Sequence, residues 1–317
     1  MFLFLRRGPP YRVLMVQYNR CMQLARLGRL AITFALLASI SEALEPGLPS
    51  KTAVLIATAR AVGSKDPNPE FRNPDYLAIK FLGPRERSIL SPELNMSALD
   101  LDFDTAMKRL GMHVGASTQM WRTKAFDAAM LDALRNGARQ VVVLGAGFDS
   151  RGYRFQSQLR GVRFMEVDST PTQEYKKQRV REIFGGLPGN VTYVPMDFTK
   201  DDLLTQLVKA RYSEKQKTFF LWEGVTEYLP ESAVKETLHF VRDHAAPGSR
   251  IAFDYTLSSD PTVNNPNSRS ARWGEPWLFG FPGRDAAPYV EQEGLEVVSE
   301  GARGYSNFCI AGVAQRN

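Results

Sequence analysis

The sequence predicts an α/β fold: a mostly parallel sheet of seven strands, the last one antiparallel, with helices on both faces. Three observations carry that prediction. Short β-branched runs alternate with helix-like stretches from Gln140 to Ala245, and such alternation builds parallel strands joined by crossover helices. The run Val141-Val142-Val143-Leu144 has no polar alternation and ends in Gly145-Ala146-Gly147. That is the pattern of a strand covered on both faces that leads into a sharp turn. Near the C-terminus, two strand-like stretches are separated by Gly301-Ala302-Arg303-Gly304, the spacing of a closing hairpin.

The elements follow in order. Lys51–Gly63 spaces Val54, Leu55, Thr58, Ala59 and Val62 along one helical face. Asp66-Pro67-Asn68-Pro69 breaks it, and Asn73-Pro74-Asp75 reads as the cap of a second helix running through Leu82. Thr118–Leu134 is the helix that leads into the first strand. Strands are expected at Gln140–Leu144, Val162–Val167, Val191–Pro195, Thr218–Trp222 and Arg250–Tyr255, then at Leu295–Glu300 and Ser306–Val313. The intervening helices are Pro171–Phe184, Asp201–Ala210 and Pro230–Ala245. Pro261–Pro288 departs from the pattern. It is long, aromatic and rich in turn formers, which suits either a lid over a site or an ordered surface insertion with buried tryptophans.

Charge and composition exclude several classes. Of the net +6, residues 1–50 hold six arginines against Glu42 and Glu45, so the rest of the chain is close to balanced. There is no basic stripe interleaved with aromatics, and no nucleic-acid partner is expected. Cys21 and Cys309 give no disulfide framework, and the Cys and His residues have no metal-ligand spacing. His239 and His244, five residues apart, read as surface histidines of a helix. Two domains follow: a basic N-terminal extension, 1–50, and a catalytic-sized domain, 51–317. The extension contains the apolar run Leu30–Ile40, too short for a bilayer span of about 20 residues. It suits a secretory h-region, an anchor at a membrane surface, or a helix docked on the main domain.

The glycine turn points to a cofactor. A second strand ends at Asp168, twenty-three residues beyond Gly145, where a dinucleotide-type unit places the acid that binds ribose hydroxyls. The third glycine of a dinucleotide fingerprint is replaced by Ser150, which weakens a nicotinamide reading. An adenosine cofactor without phosphate, S-adenosylmethionine, suits the charged Asp149 and Arg151 around the turn.

Several blocks in sequence order carry a family resemblance: Arg122-Thr123-Lys124-Ala125-Phe126-Asp127, Leu144 to Arg151, Glu166-Val167-Asp168, Met196-Asp197-Phe198 and Trp222 to Leu229. From about Lys51 onward the chain resembles the class I S-adenosylmethionine-dependent methyltransferases of the leucine carboxyl methyltransferase family, especially bacterial relatives of unassigned substrate. The resemblance implies a Rossmann-like methyltransferase fold and S-adenosyl-L-methionine as cofactor. It implies that Arg122 grips the cofactor carboxylate, Gly145 lies under the methionine part and Asp168 holds the ribose. Asp197 and Phe198 would flank adenine, and Glu223 would line the site. Lys51 matches a family lysine loosely. Glu227 departs from the pattern, where a less charged residue is expected, and so the acceptor is not carried over.

The reaction expected is methyl transfer to an oxygen, a carboxylate or a hydroxyl of an unidentified acceptor. Tyr228 is placed on the acceptor side by position. Arg269 or Arg272 in the Pro261–Pro288 segment could pair with an anionic acceptor. Arg122 is expected to face the ligand rather than the core. The alternatives are a nicotinamide-dependent oxidoreductase and a non-catalytic cofactor-binding protein whose N-terminus contacts a membrane or a partner. Use of a cytosolic cofactor favours a cytoplasmic protein over a membrane-associated or exported one.

Overall fold

A seven-stranded sheet organises the chain. Its strands are β1 (Gln140–Leu144), β2 (Arg163–Asp168), β3 (Val191–Pro195), β4 (Thr218–Trp222), β5 (Arg250–Tyr255), β6 (Glu296–Arg303) and β7 (Ser306–Gly312). The computed structural model describes residues 49–111, 113–196, 201–303 and 306–314. The N-terminal extension, including the Leu30–Ile40 run, therefore lies outside the described residues, as do Asp197 and Phe198. No helix among the described residues is long and apolar enough to cross a membrane.

The strand order is β3-β2-β1-β4-β5-β7-β6. β1 pairs in parallel with β2 and β4, β2 with β3, and β4 with β5. β7 is antiparallel to both β5 and β6. The sequence expectation of seven strands with a reversed last one is met. The order changes direction at β1, with β2 on one side and β4 on the other. In an open α/β sheet the crevice beyond the carboxyl ends of such strands is the place for a ligand.

The Val-Val-Val-Leu run of β1 is apolar throughout because both of its faces are covered. Val141 and Val143 join one buried cluster with Phe164, Phe219, Leu221 and Phe126. Val142 and Leu144 join the other, with Met165, Phe220, Trp222 and Phe253. The first cluster packs under the helices that precede the sheet: α1 (Lys51–Gly63), α2 (Ala78–Phe81), α3 (Pro84–Leu90), α4 (Phe103–Leu110) and α5 (His113–Arg135). The second lies under α8 (Leu203–Lys209), α9 (Glu231–His244) and α11 (Ala287–Gln292). The remaining helices are α6 (Arg151–Arg154), α7 (Thr170–Phe184) and α10 (Arg269–Arg272).

Three expectations need correction. The helix expected after Asn73-Pro74-Asp75 shrinks to the four residues of α2. Asn73 accepts the Asp75 N–H at 2.9 Å in a local turn, and Asp75 is spent on Ser150 and two arginines, so the segment is a tie and not a cap. The helix expected from Thr118 begins at His113. The Gly301–Gly304 stretch is mostly strand, since β6 continues to Arg303. Gly301 lies opposite Phe308, and a Cβ there would come within 2.9 Å of the Phe308 ring, so glycine clears space for an aromatic side chain. The expectation of surface histidines on α9 holds. His239 meets Glu293 at 2.6 Å at a half-buried edge, and His244 meets Glu214 at 2.6 Å on more open ground.

Candidate active site

Three chain reversals meet beyond the carboxyl ends of β1, β2 and β4. Gly145 turns with φ +69° and Gly147 with φ +39°, backbone conformations that favour glycine. A Cβ on Gly145 would lie 2.5 Å from Val225 Cγ2, so the turn after β4 packs directly on the glycine loop. Asp168, at the end of β2, closes the third side. Its Oδ2 accepts the Gly147 N–H at 2.6 Å and its Oδ1 accepts the Ser169 N–H at 2.7 Å. Burial pushes the Asp168 carboxyl up from its ordinary range, and the two backbone N–H groups work against that shift.

Behind this mouth lies a buried network of arginines and carboxylates. Arg122, from α5, donates through Nε to Glu223 at 2.9 Å and through Nη1 to Asp254 at 2.5 Å. Arg151 binds Asp127 at 2.7 Å, Glu223 at 2.8 Å, and Asp149. Arg154 forks onto Asp127 at 2.7 and 2.9 Å. Arg60 reaches Asp75 at 3.5 Å and the Phe148 carbonyl at 3.2 Å. Arg122 is 8% exposed and Arg151 1%, and each guanidinium is held charged by its carboxylates against the cost of burial. Glu223 is held below the usual carboxylate range by Arg151 and Arg122, although burial opposes them. The expectation that Arg122 faces the ligand rather than the core is therefore corrected. Two of its nitrogens hold protein carboxylates, while Nη2 lies by Gly224, where a Cβ would sit 3.6 Å away.

Glu227 and Asp254 stand on the acidic side of this network. Glu227 is 9% exposed. Burial and the neighbouring Asp254 raise its carboxyl to about 7, with Arg122 opposing. Asp254 is raised as well by burial, although it pairs with Arg122 and accepts the Gly224 N–H at 2.6 Å. Asp254 was not found from sequence, although its place at the end of β5 was the available signal. Asp75, Arg60 and Arg154 had no comparable signal, because their partners come from segments far apart in the chain.

The Pro261–Pro288 segment lies over the β4 turn. The Leu278 and Phe279 N–H groups donate to the Glu227 carbonyl at 2.6 and 3.2 Å. Glu275 accepts from the Ser50 hydroxyl at 2.9 Å, the Lys51 N–H at 2.9 Å and the Thr52 N–H at 3.2 Å, at the start of α1. The backbone of Lys51 thus makes this contact. Tyr228 meets Trp277 edge-on at 6.4 Å. Thr52 Oγ1 and Trp277 Nε1 are buried near the Tyr228 hydroxyl, yet neither makes a well-directed hydrogen bond. Arg272 is exposed with its guanidinium on the Asn267 carbonyl, and Arg269 lies over the Trp273 ring at 6.0 Å. The idea that Arg269 or Arg272 lines the acceptor side is not supported. The charged group this segment turns inward is Glu275.

The donor set fits a cationic, phosphate-free cofactor. The helix after the glycine loop is the four-residue α6, and the buried Asp149 carboxylate stands at its start. A diphosphate there would meet like charge. An ammonium and a sulfonium would instead meet Glu223, Asp254 and Glu227, and the free face of Arg122 would suit a carboxylate. The leucine carboxyl methyltransferase profile matches residues 53–242. The chain belongs to this family. A relative from Mycobacterium avium, an S-adenosyl-L-methionine-dependent methyltransferase by name, is 34% identical over 226 residues, covering 70% of this chain and 67% of its own. Another so named, YktD of Bacillus subtilis, is 27% identical over 263 residues, covering 78% of this chain and 86% of its own. This leucine carboxyl methyltransferase family member is an S-adenosyl-L-methionine-dependent methyltransferase with a Rossmann-like sheet. The nicotinamide alternative is set aside.

Proposed function

We propose that the protein is an O-methyltransferase whose cofactor lies across the carboxyl ends of β1, β2 and β4, and whose acceptor is a carboxylate or a hydroxyl. The observation that supports the placement is the closing of Asp168 onto the Gly145–Gly147 loop, with Val225 packed on Gly145 and the Arg122–Glu223 pair in the buried network behind. When bound, S-adenosyl-L-methionine supplies an electrophilic methyl on a sulfonium sulfur for in-line transfer. The chain's own work is binding and alignment. Asp168 keeps acceptor lone pairs beyond its two backbone contacts and can take ribose hydroxyls. Arg122 Nη2 can take the amino-acid carboxylate. Glu223 and Asp254 are disposed to face the ammonium. Tyr228, Thr52 and Trp277 can hold the acceptor oxygen under the Leu278–Phe279 cover, which keeps water from the transfer. Oxygen as acceptor is supported by the family, named for a carboxyl methylation. The test is to label cell extract with methyl-tritiated cofactor and the protein, then treat with mild alkali. Release of labelled methanol marks a methyl ester and so a carboxylate acceptor. Alkali-stable label that behaves as an ether marks a hydroxyl, and label on nitrogen would contradict the proposal.

A further inference from the structure

Six carboxyls crowd the buried network around Arg122: Asp75, Asp127, Asp149, Glu223, Asp254 and Glu227. Four guanidiniums oppose them: Arg60, Arg122, Arg151 and Arg154. The nearby Lys176 is already paired with Glu166 at 2.7 Å, so it does not correct the balance. Fully ionised, the cluster has an excess of two negative charges in a water-poor place, which is costly. The excess is concentrated at one spot. Arg122 spreads one positive charge over Glu223 and Asp254, with a single hydrogen bond to each, and Arg151 also reaches Glu223 while holding Asp149 and Asp127. Among the described residues, the Glu227 carboxyl has its own backbone N–H and the Thr226 hydroxyl, at 3.4 Å, and that hydroxyl also reaches the Asp254 carbonyl at 3.0 Å.

The groups around Glu227 can be taken element by element. From α5 there is Arg122, from β5 Asp254, and from its own turn Glu223, Thr226 and Tyr228. The covering segment offers backbone N–H groups to the Glu227 carbonyl and brings the Glu275 carboxylate towards Tyr228. Arg122 is the chief cation acting on Glu227 among the described residues. Val225, two positions earlier, touches the Gly145 position of the cofactor loop, so the unmatched carboxyl stands next to the proposed cofactor site.

We propose that Glu227 and Asp254 form a charge-sensing wall that holds one proton in the free enzyme and releases it to solvent when the positively charged cofactor binds. The wall would thereby favour S-adenosyl-L-methionine over S-adenosylhomocysteine. The inference rests on the placement of the amino-acid end against Arg122 given above. The cofactor carries a sulfonium, an ammonium and a carboxylate, a net positive charge. The product has lost the sulfonium charge and is neutral overall. A positive ligand beside the pair favours both carboxyls ionised, so binding expels the shared proton. The neutral product gives less reason to expel it, and the returning proton helps the product leave. Burial raises both carboxyls, which agrees with a proton being held there at neutral pH.

Titration calorimetry of the full chain with each ligand tests this, in two buffers of different ionisation enthalpy between about pH 6 and pH 8. The expected result is proton release with S-adenosyl-L-methionine and clearly less with S-adenosylhomocysteine. Affinity for the cofactor should rise with pH by up to about tenfold per unit below about 7, then level off. Glu227→Gln should abolish the extra release and bring the two affinities together. Equal proton counts for the two ligands in the wild type would overturn the proposal, and that measurement needs no variant. Retention of the wild-type preference by Glu227→Gln would overturn it as well. Arg122→Lys separates the two layers. If it leaves cofactor affinity untouched, the placement itself fails and the charge sensor falls with it. If affinity drops while proton counts stay equal, only the sensor fails.

Discussion

Arg122 holds structure and, on the proposed placement, would hold the ligand as well. Its guanidinium is buried between Glu223 and Asp254, and removing one member of such a buried network leaves carboxylates without a partner. Arg122→Ala should therefore cost about 3–5 kcal/mol of stability in urea denaturation, besides weakening cofactor binding. Arg122→Lys keeps the charge but loses the fork. It should remain better folded than the alanine variant yet bind cofactor poorly, which calorimetry would show. Gly145 is a second single-residue test. At φ +69°, with Val225 Cγ2 only 2.5 Å from a Cβ, Gly145→Ala must push the two turns apart. Loss of cofactor affinity is expected even where circular dichroism shows the fold retained. A fully competent Gly145→Ala protein would show that the two turns need not touch.

At the scale of elements, β2 and α7 are joined by a buried ion pair, Glu166 with Lys176 at 2.7 Å, beneath the Ala146 carbonyl of the glycine loop. Burial raises the Glu166 carboxyl to about 7, with Lys176 opposing. An acid held above its unfolded value of about 4.3 binds its proton more tightly in the folded chain. Its contribution to stability is thus full below about pH 4 and is lost as pH rises through about 7. Glu166→Gln should flatten that part of the stability–pH curve and cost stability mainly above about pH 7, where Lys176 loses its ionised partner. Replacing both by methionine should recover most of the loss, since an apolar pair of similar size often equals a buried ion pair. A double variant as weak as the single one would assign the pair a further role. Glu275 is the other element-scale tie, joining the Pro261–Pro288 segment to the start of α1 through three bonds. Glu275→Ala should make that segment cleave faster under limited proteolysis, with Glu223 and Asp168 chemistry intact. An unchanged cleavage rate would mean the Leu278 and Phe279 bonds to Glu227 hold it alone.

Across the whole molecule, the sheet was legible because each strand is short, apolar and bounded by turn residues, and because the two-sided burial of β1 leaves no alternation to misread. Strands β1, β3, β4 and β5 fall where the sequence places them. Element bounds shifted where side chains were spent on tertiary ties, as at Asn73 and Asp75, or where a glycine served a strand, as at Gly301. Gly145, Asp168 and Glu223 stand at the carboxyl ends of β1, β2 and β4, which is what made them readable, whereas Arg122 was read from its family block and is joined to Glu223 from α5. The acids that engage Arg122 and Arg151 from α5 and β5, and the carboxylate that latches the covering segment, depend on contacts between distant stretches that no local pattern encodes. Residues Leu44–Asn317 form a compact unit of their own. A chain beginning at Pro49 is therefore expected to unfold in one cooperative transition and to bind S-adenosylhomocysteine, and loss of folding would make residues before Pro49 part of the core. The most direct test of the central claim is a crystal structure with S-adenosylhomocysteine. The account predicts ribose hydroxyls on Asp168, the homocysteine end along Gly145–Gly147, and its carboxylate on Arg122 Nη2. Density for the ligand away from the ends of β1, β2 and β4, or a carboxylate with no contact to Arg122, would contradict it.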